Sequence, residues 1–247
     1  MDGATLALFL LTTFFGGVVT GLAGFAMGLV VSGVWLHILT PAETAMLIVA
    51  YGLLVQSYGI WKMRRALDWR VLAPFVLGGA VGVPIGTALL SYIDADYLRV
   101  AVGVLLVVYS TYSLARPHFK PMHAGFAADT GIGLLNGVLG GLTGLTGPII
   151  TMWCQLRGFP KDRQRAIYQP VILAAFAMSA VSLSLAGAVT PELTRLYVYG
   201  LLPLGAGLWL GLHLYGHLDE NAFRKVILIL LLLSGLVLMV PFSLFTR

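Results

Sequence analysis

Charge is scarce in this chain. Lys, Arg, Asp and Glu make up 10% of its 247 residues, against roughly 25% in an ordinary soluble domain. With a mean hydropathy of +0.93, too little polar sequence is left to cover a water-facing surface, so lipid must solvate most of the exterior. Cysteine is nearly absent too. Cys154 stands alone, which excludes an internal disulfide and a cysteine-built metal cluster. No Asp or Glu falls deep within an apolar run, although Asp129 lies near the start of one. The intramembrane carboxylate that proton-coupled transporters commonly use is therefore not expected. No Gly-x-x-x-x-Gly-Lys loop occurs, so hydrolysis of a nucleotide by this chain is not expected. Met1-Asp2-Gly3 carries no basic n-region, and the first apolar run reads as part of the mature protein.

What is present is apolar sequence, in runs at roughly 4–36, 42–61, 71–92, 97–115, 124–156, 166–187, 194–214 and 222–245. Backbone groups in lipid must be satisfied within their own segment, so these runs predict helices. Strands of a membrane barrel would be about 10 residues long with alternating polarity, and nothing here alternates. The net charge of +5 sits in short clusters between the runs, which reads as a topology signal rather than a nucleic-acid surface.

Runs 4–36 and 124–156 exceed the ~20 residues of one span. Both are glycine-rich in the middle: Gly16-Gly17-Val18-Val19-Thr20-Gly21-Leu22-Ala23-Gly24 in the first, Asn136 to Pro148 in the second. Gly17, Gly21 and Gly24 match Gly137, Gly141 and Gly144 at constant offset. Pro41 corresponds to Pro160, Gly82 and Gly86 to Gly207 and Gly211, and Asp94 and Arg99 to Asp219 and Arg224. The chain therefore reads as a duplication.

Basic residues decide how the halves are oriented. If every run crosses completely, Lys and Arg divide almost evenly between the two sides. If the two long runs fold back as hairpins, the links 62–70, 116–123, 157–165 and 217–225 all face the cytoplasm. Only Arg99, Arg195 and Arg247 are then left outside, as the positive-inside rule requires. The expected fold is all-α integral membrane: two inverted repeats, each a glycine-rich re-entrant helical hairpin plus three transmembrane helices. Residues 1–247 form a single membrane domain, with repeat one at 1–115, a linker at 116–123 and repeat two at 124–247.

Broken helices near the midplane of an inverted repeat are a transporter architecture. A half-helix that starts inside the membrane points free N–H groups and roughly +0.5 of dipole charge inward. Two such ends facing each other make an anion pocket without Lys or Arg. Pro148 suits the first turn of the second half-helix, where its missing N–H costs nothing. The candidate substrate-binding residues are Thr20, Gly21, Gly24, Gln56, Asn136, Thr143, Gly144, Thr146, Gly147 and Gln169. The plainer reading of the glycines is close helix packing, which already accounts for Gly78, Gly82, Gly86, Gly207 and Gly211. The plainer reading of Gln56, Asn136 and Gln169 is an interhelical hydrogen bond. Pro170, just after Gln169, is expected to kink or open its helix. Arg163 and Arg165 read as topology anchors, or else as guides for anions. His213 and His217 have i, i+4 spacing at a predicted membrane edge and do not make a convincing metal pair. No metal or cofactor is expected.

The glycine-rich stretch at 16–30, its echo at 136–150, the following Pro41 and Pro160, and the basic link 62–70 resemble the TauE/SafE sulfite-exporter family over nearly the whole chain. The resemblance implies a membrane transporter for sulfur-containing anions such as sulfite, sulfoacetate and related sulfonates. The expected partners are then a small anionic substrate and the lipid bilayer, with no nucleic acid; a homo-oligomer is compatible with the sequence. The expected location is a bacterial inner (plasma) membrane, crossed several times, with export as the direction. A channel-like facilitator or exchanger of another small anion is the alternative. A membrane-embedded enzyme is weaker, because carboxylates are missing from the core and the histidines lie at its edges.

Overall fold

The computed structural model describes residues 3–64, 67–89, 95–115, 121–143, 146–185 and 190–239. Arg65, Asp94, Gly144, Arg247 and residues 116–120 of the expected linker lie outside this set. All regular secondary structure among the described residues is helical. The first long run comprises α1 (Gly3–Ala23) and α2 (Met27–Ile38), followed by α3 (Pro41–Met63), α4 (Trp69–Leu89) and α5 (Ala95–Ala115). The second comprises α6 (Phe126–Thr143) and α7 (Pro148–Leu156), followed by α8 (Lys161–Leu185), α9 (Pro191–His217) and α10 (Glu220–Met239). Both runs too long for one span are thus broken, each in its glycine-rich middle. The stretches Gly3–Ala23, Glu43–Lys62, Trp69–Gly86 and Pro191–His217 are each long and apolar enough to cross a membrane. Leu202 of α9 is 82% exposed, as a lipid-facing side chain should be. α8 is continuous through Pro170, so this proline does not open the helix as its sequence suggested.

The chain forms two compact units. One contains Met1–Gly59 and Phe176–Leu218. Its core packs Phe9, Val31, Trp35, Leu47, Tyr51 and Leu204 together. Here α1 crosses α9 through glycines. A Cβ on Gly17 would lie 2.7 Å from the Leu204 carbonyl oxygen, and one on Gly21 2.6 Å from that of Leu208. From the other side, Gly207 and Gly211 meet the carbonyls of Phe14 and Val18. Lipid gives helices no hydrophobic reason to associate, so backbone contact of this kind supplies the attraction.

The other unit contains Ile60–Ala175 and Asp219–Arg247. In it α4 crosses α6 in the same manner: Gly78, Gly82 and Gly86 meet the carbonyls of Thr130, Leu134 and Val138, while Gly133 and Gly137 meet those of Phe75 and Gly79. α5 and α10 also touch backbone to backbone, with a Cβ on Gly235 placed 2.7 Å from the Gly103 carbonyl oxygen.

Three threonines inside α1 are satisfied locally. Thr12, Thr13 and Thr20 donate their hydroxyls to the carbonyls of Leu8, Phe9 and Gly16, at 2.7, 2.6 and 2.8 Å. Such i−4 bonds let a hydroxyl lie in an apolar helix without a water partner.

Candidate anion site at two helix breaks

Seven of the helix starts fall into two classes. α3 begins with a capping box, in which Glu43 Oε2 accepts from Thr40 N at 2.9 Å and Thr40 Oγ1 from Glu43 N at 3.3 Å. α4 has Asp68 Oδ1 on Arg70 N at 3.0 Å, α9 has Thr190 Oγ1 on Leu193 N at 3.2 Å, and α10 has Asp219 Oδ1 on Ala222 N at 2.6 Å. The start of α8 is served by Glu220, whose Oε2 accepts from Lys161 N at 2.9 Å. α2 and α7 begin at the breaks, and neither has a side-chain cap. The leading amides of α2 keep the unsatisfied donors and partial positive charge of a bare helix start, while at α7 the Gly147 amide is taken up by Asn136.

At the first break, Gly24 N donates to Thr20 O at 2.7 Å and finishes α1. Gly24 (φ 82°) and Ala26 (φ 75°) both lie in the left-handed region. Ala26 has a Cβ, so this conformation costs about 1–2 kcal/mol that the surroundings must offset. The chain then turns back: the Val31 and Met27 side chains of α2 lie against Gly16 of α1, and Phe9 stacks on Trp35 with centroids 5.0 Å apart. Gln56 reaches this break from α3. It is 1% exposed, and its Nε2 donates to Gly24 O at 3.0 Å. Its Oε1 is buried with no hydrogen-bond partner among the described residues.

At the second break, Gly147 has φ 119°, a conformation that glycine alone adopts readily. Pro148 opens α7, at the position where a missing N–H costs nothing. Gly147 N donates to Oδ1 of Asn136 at 3.2 Å, and Asn136 is 1% exposed. The Thr146 and Thr151 hydroxyls are buried without a partner among the described residues. The far end of this pair is tied by Asp129 of α6. Its Oδ1 accepts from Trp153 Nε1 at 2.7 Å and from Arg157 Nη1 at 2.8 Å, with side chains only 11% and 16% exposed for Asp129 and Arg157. Met122 N also donates to Leu156 O at 3.0 Å.

Of the candidate residues, Gly24 and Gln56 meet at the first break, and Asn136, Thr146 and Gly147 belong to the second. Gly144 lies outside the described residues, and Thr143 is the last residue of α6. Gly21 faces the backbone of α9 and serves the helix crossing. The proton of Thr20 is committed to Gly16 O. Gln169 is 1% exposed on α8, with Oε1 unpartnered among the described residues. No described contact joins it to either break.

Two groups escaped the sequence reading. Asp129 is 7% exposed and paired, where its place near the start of a run suggested only an edge residue. Its signal was the Trp153 and Arg157 that a chain folding back at Gly147 brings to it. Arg165, read as an anchor or a guide, is 2% exposed, whereas Arg163 stays exposed over the Phe159 ring at 4.6 Å.

No curated protein matches this chain, and no solved structure does. The family model described as Sulfite exporter TauE/SafE matches residues 9–238, nearly the whole chain. With its apolar helices and paired helix breaks, the protein belongs to the TauE/SafE sulfite-exporter family, multi-pass membrane proteins that transport sulfur-containing anions such as sulfite.

Proposed function

We propose that this protein exports a small sulfur-containing oxyanion, sulfite or an organosulfonate such as sulfoacetate, across a bacterial inner membrane. Each half-helix, α2 in one unit and α7 in the other, offers such an anion an amide-bearing start. The observation that carries this reading is the difference in capping. α3, α4, α8, α9 and α10 begin with a carboxylate or hydroxyl on their first amides, and α2 and α7 begin with neither. A bare helix start in a low-dielectric setting attracts negative charge. Three oxyanion oxygens suit N–H donors grouped at one helix start. Dipoles hold such an ion without a fixed cation, which favours release as well as capture.

In this reading α1–α2 and α6–α7 are re-entrant hairpins and the two halves are inverted repeats. The fold-back contacts at Gly16 and Asp129 and the distribution of Lys and Arg support that arrangement. So does the recurrence of one glycine crossing, α1 on α9 and α4 on α6. Of the alternatives for another small anion, an exchanger is told apart by its need for a counter-anion inside, and a channel-like facilitator by a flux that does not saturate with anion concentration.

The test is sulfite flux in proteoliposomes without nucleotide. Wild type should transport, and Gly24→Leu should lose at least about tenfold, because a side chain at φ 82° strains the turn from which α2 starts. Wild-type flux no faster than in empty liposomes, or undiminished flux in the variant, would overturn the assignment.

A further inference from the structure

The first break holds a group that an anion alone does not satisfy. Gln56 is 1% exposed, and its Nε2 is fixed on Gly24 O at 3.0 Å. That bond also fixes which way the amide points. Rotated by half a turn, Gln56 would set one carbonyl oxygen against another, so the amide nitrogen belongs at Gly24. Its Oε1 is therefore the end left over, buried and without a partner among the described residues. At the same break α2 begins at Met27, after Ala26, with no side-chain cap. The break thus carries amide donors and one carbonyl acceptor together. A fully deprotonated oxyanion would satisfy the donors and leave Gln56 Oε1 facing negative charge. An anion bearing its own O–H or N–H would satisfy both.

We propose that the first break selects anions that carry a hydrogen-bond donor in addition to their anionic oxygens, with Gln56 Oε1 as the acceptor that reads it. This rests on the reading that the break binds the transported anion. It narrows that reading to a substrate class: hydroxy- or amino-bearing sulfonates and singly protonated oxyanions such as hydrogensulfite, in preference to anions that only accept, among them fully deprotonated sulfite and sulfoacetate. A buried acceptor left unpaired is the larger part of the discrimination, because each wrong ligand leaves Oε1 without the partner that water gave it.

The test compares two sulfonates of nearly equal size, 2-hydroxyethanesulfonate and propane-1-sulfonate, which differ by a hydroxyl in place of a methyl. Sulfite serves as the reference ligand. Binding is measured on the full-length protein in detergent. Wild type should prefer the hydroxylated sulfonate by at least about fivefold, the ratio set by one buried hydrogen bond. Gln56→Met, close in shape and without the acceptor, should bring that ratio to near one. The wild-type comparison stands by itself if the variant does not fold. If sulfite binds but wild type shows no preference, taking both sulfonates equally or neither, the donor requirement is wrong while the anion site survives. A preference that persists in folded Gln56→Met also overturns it. If none of the three ligands binds, the anion site itself fails, and the inference fails with it.

Discussion

The two helix breaks come from corresponding stretches of sequence and are secured from opposite sides. At the first, a side chain from another helix holds the end of the incoming helix: Gln56 of α3 donates to the Gly24 carbonyl. At the second, a side chain of the incoming helix holds the start of the outgoing one: Asn136 of α6 accepts from the Gly147 amide. Their far ends differ as well. Phe9 stacks on Trp35 in the first pair, leaving the Trp35 indole N–H buried without a partner among the described residues. Asp129, which lies at the same offset from Phe9 as Gly137 from Gly17, takes the Trp153 indole N–H and Arg157 together in the second. The second break has its leading amide occupied and its ends tied by charge. The first leaves its leading amides uncapped and an acceptor open. One glycine pattern has thus produced a firmly tied turn and a more receptive one.

The two breaks should diverge most at Asp129. Asp129→Ala would leave Arg157 charged and largely buried and the Trp153 indole unpaired, at a cost of about 3–5 kcal/mol. The drop should appear in thermal unfolding in detergent, and Asp129→Asn, which keeps an acceptor for Trp153, should lose less. A smaller effect is expected at the crossings. Gly82→Leu and Gly207→Leu force apart helices that touch backbone to backbone, each costing about 1–3 kcal/mol. Similar losses from the two would support a shared packing rule. Asn136→Leu should cost about 1–3 kcal/mol by orphaning the buried Gly147 amide, again read by thermal unfolding. Gln56→Met should be the mildest for stability, at about 1 kcal/mol, while changing which anions bind. If Gln56→Met destabilised more than Asn136→Leu, the roles given to the two breaks would be reversed.

Much of this was legible in the sequence. Runs too long for a single span, with glycine in their middles, placed both breaks. Gly78, Gly82, Gly86, Gly207 and Gly211 were readable as packing residues because small residues at helical spacing bring backbones together in lipid. Which helix each one meets was not readable. A helix surrounded by lipid and other apolar helices has no polar face to point away from its partner, so the pairing of α1 with α9 and α4 with α6 leaves no periodic trace. Gly21 and Thr20 were read as ligand groups because they adjoin the break, yet Gly21 faces α9 and the Thr20 hydroxyl bonds within α1. The difference is one of helical phase, which composition does not specify. Asp129 and Arg157 are far apart in sequence, so only the fold-back makes them a pair.

A half-helix anion site requires α6 and α7 to return the chain to the side from which it came. Asp162, exposed at the start of α8, reports this directly. In a Cys154→Ala background, a cysteine in place of Asp162 should react with a membrane-impermeant maleimide only from the cytoplasmic face, the same face as a cysteine in place of the exposed Arg64. Labelling of the two positions from opposite faces would mean that the second long run crosses completely, and the half-helix anion site would be contradicted.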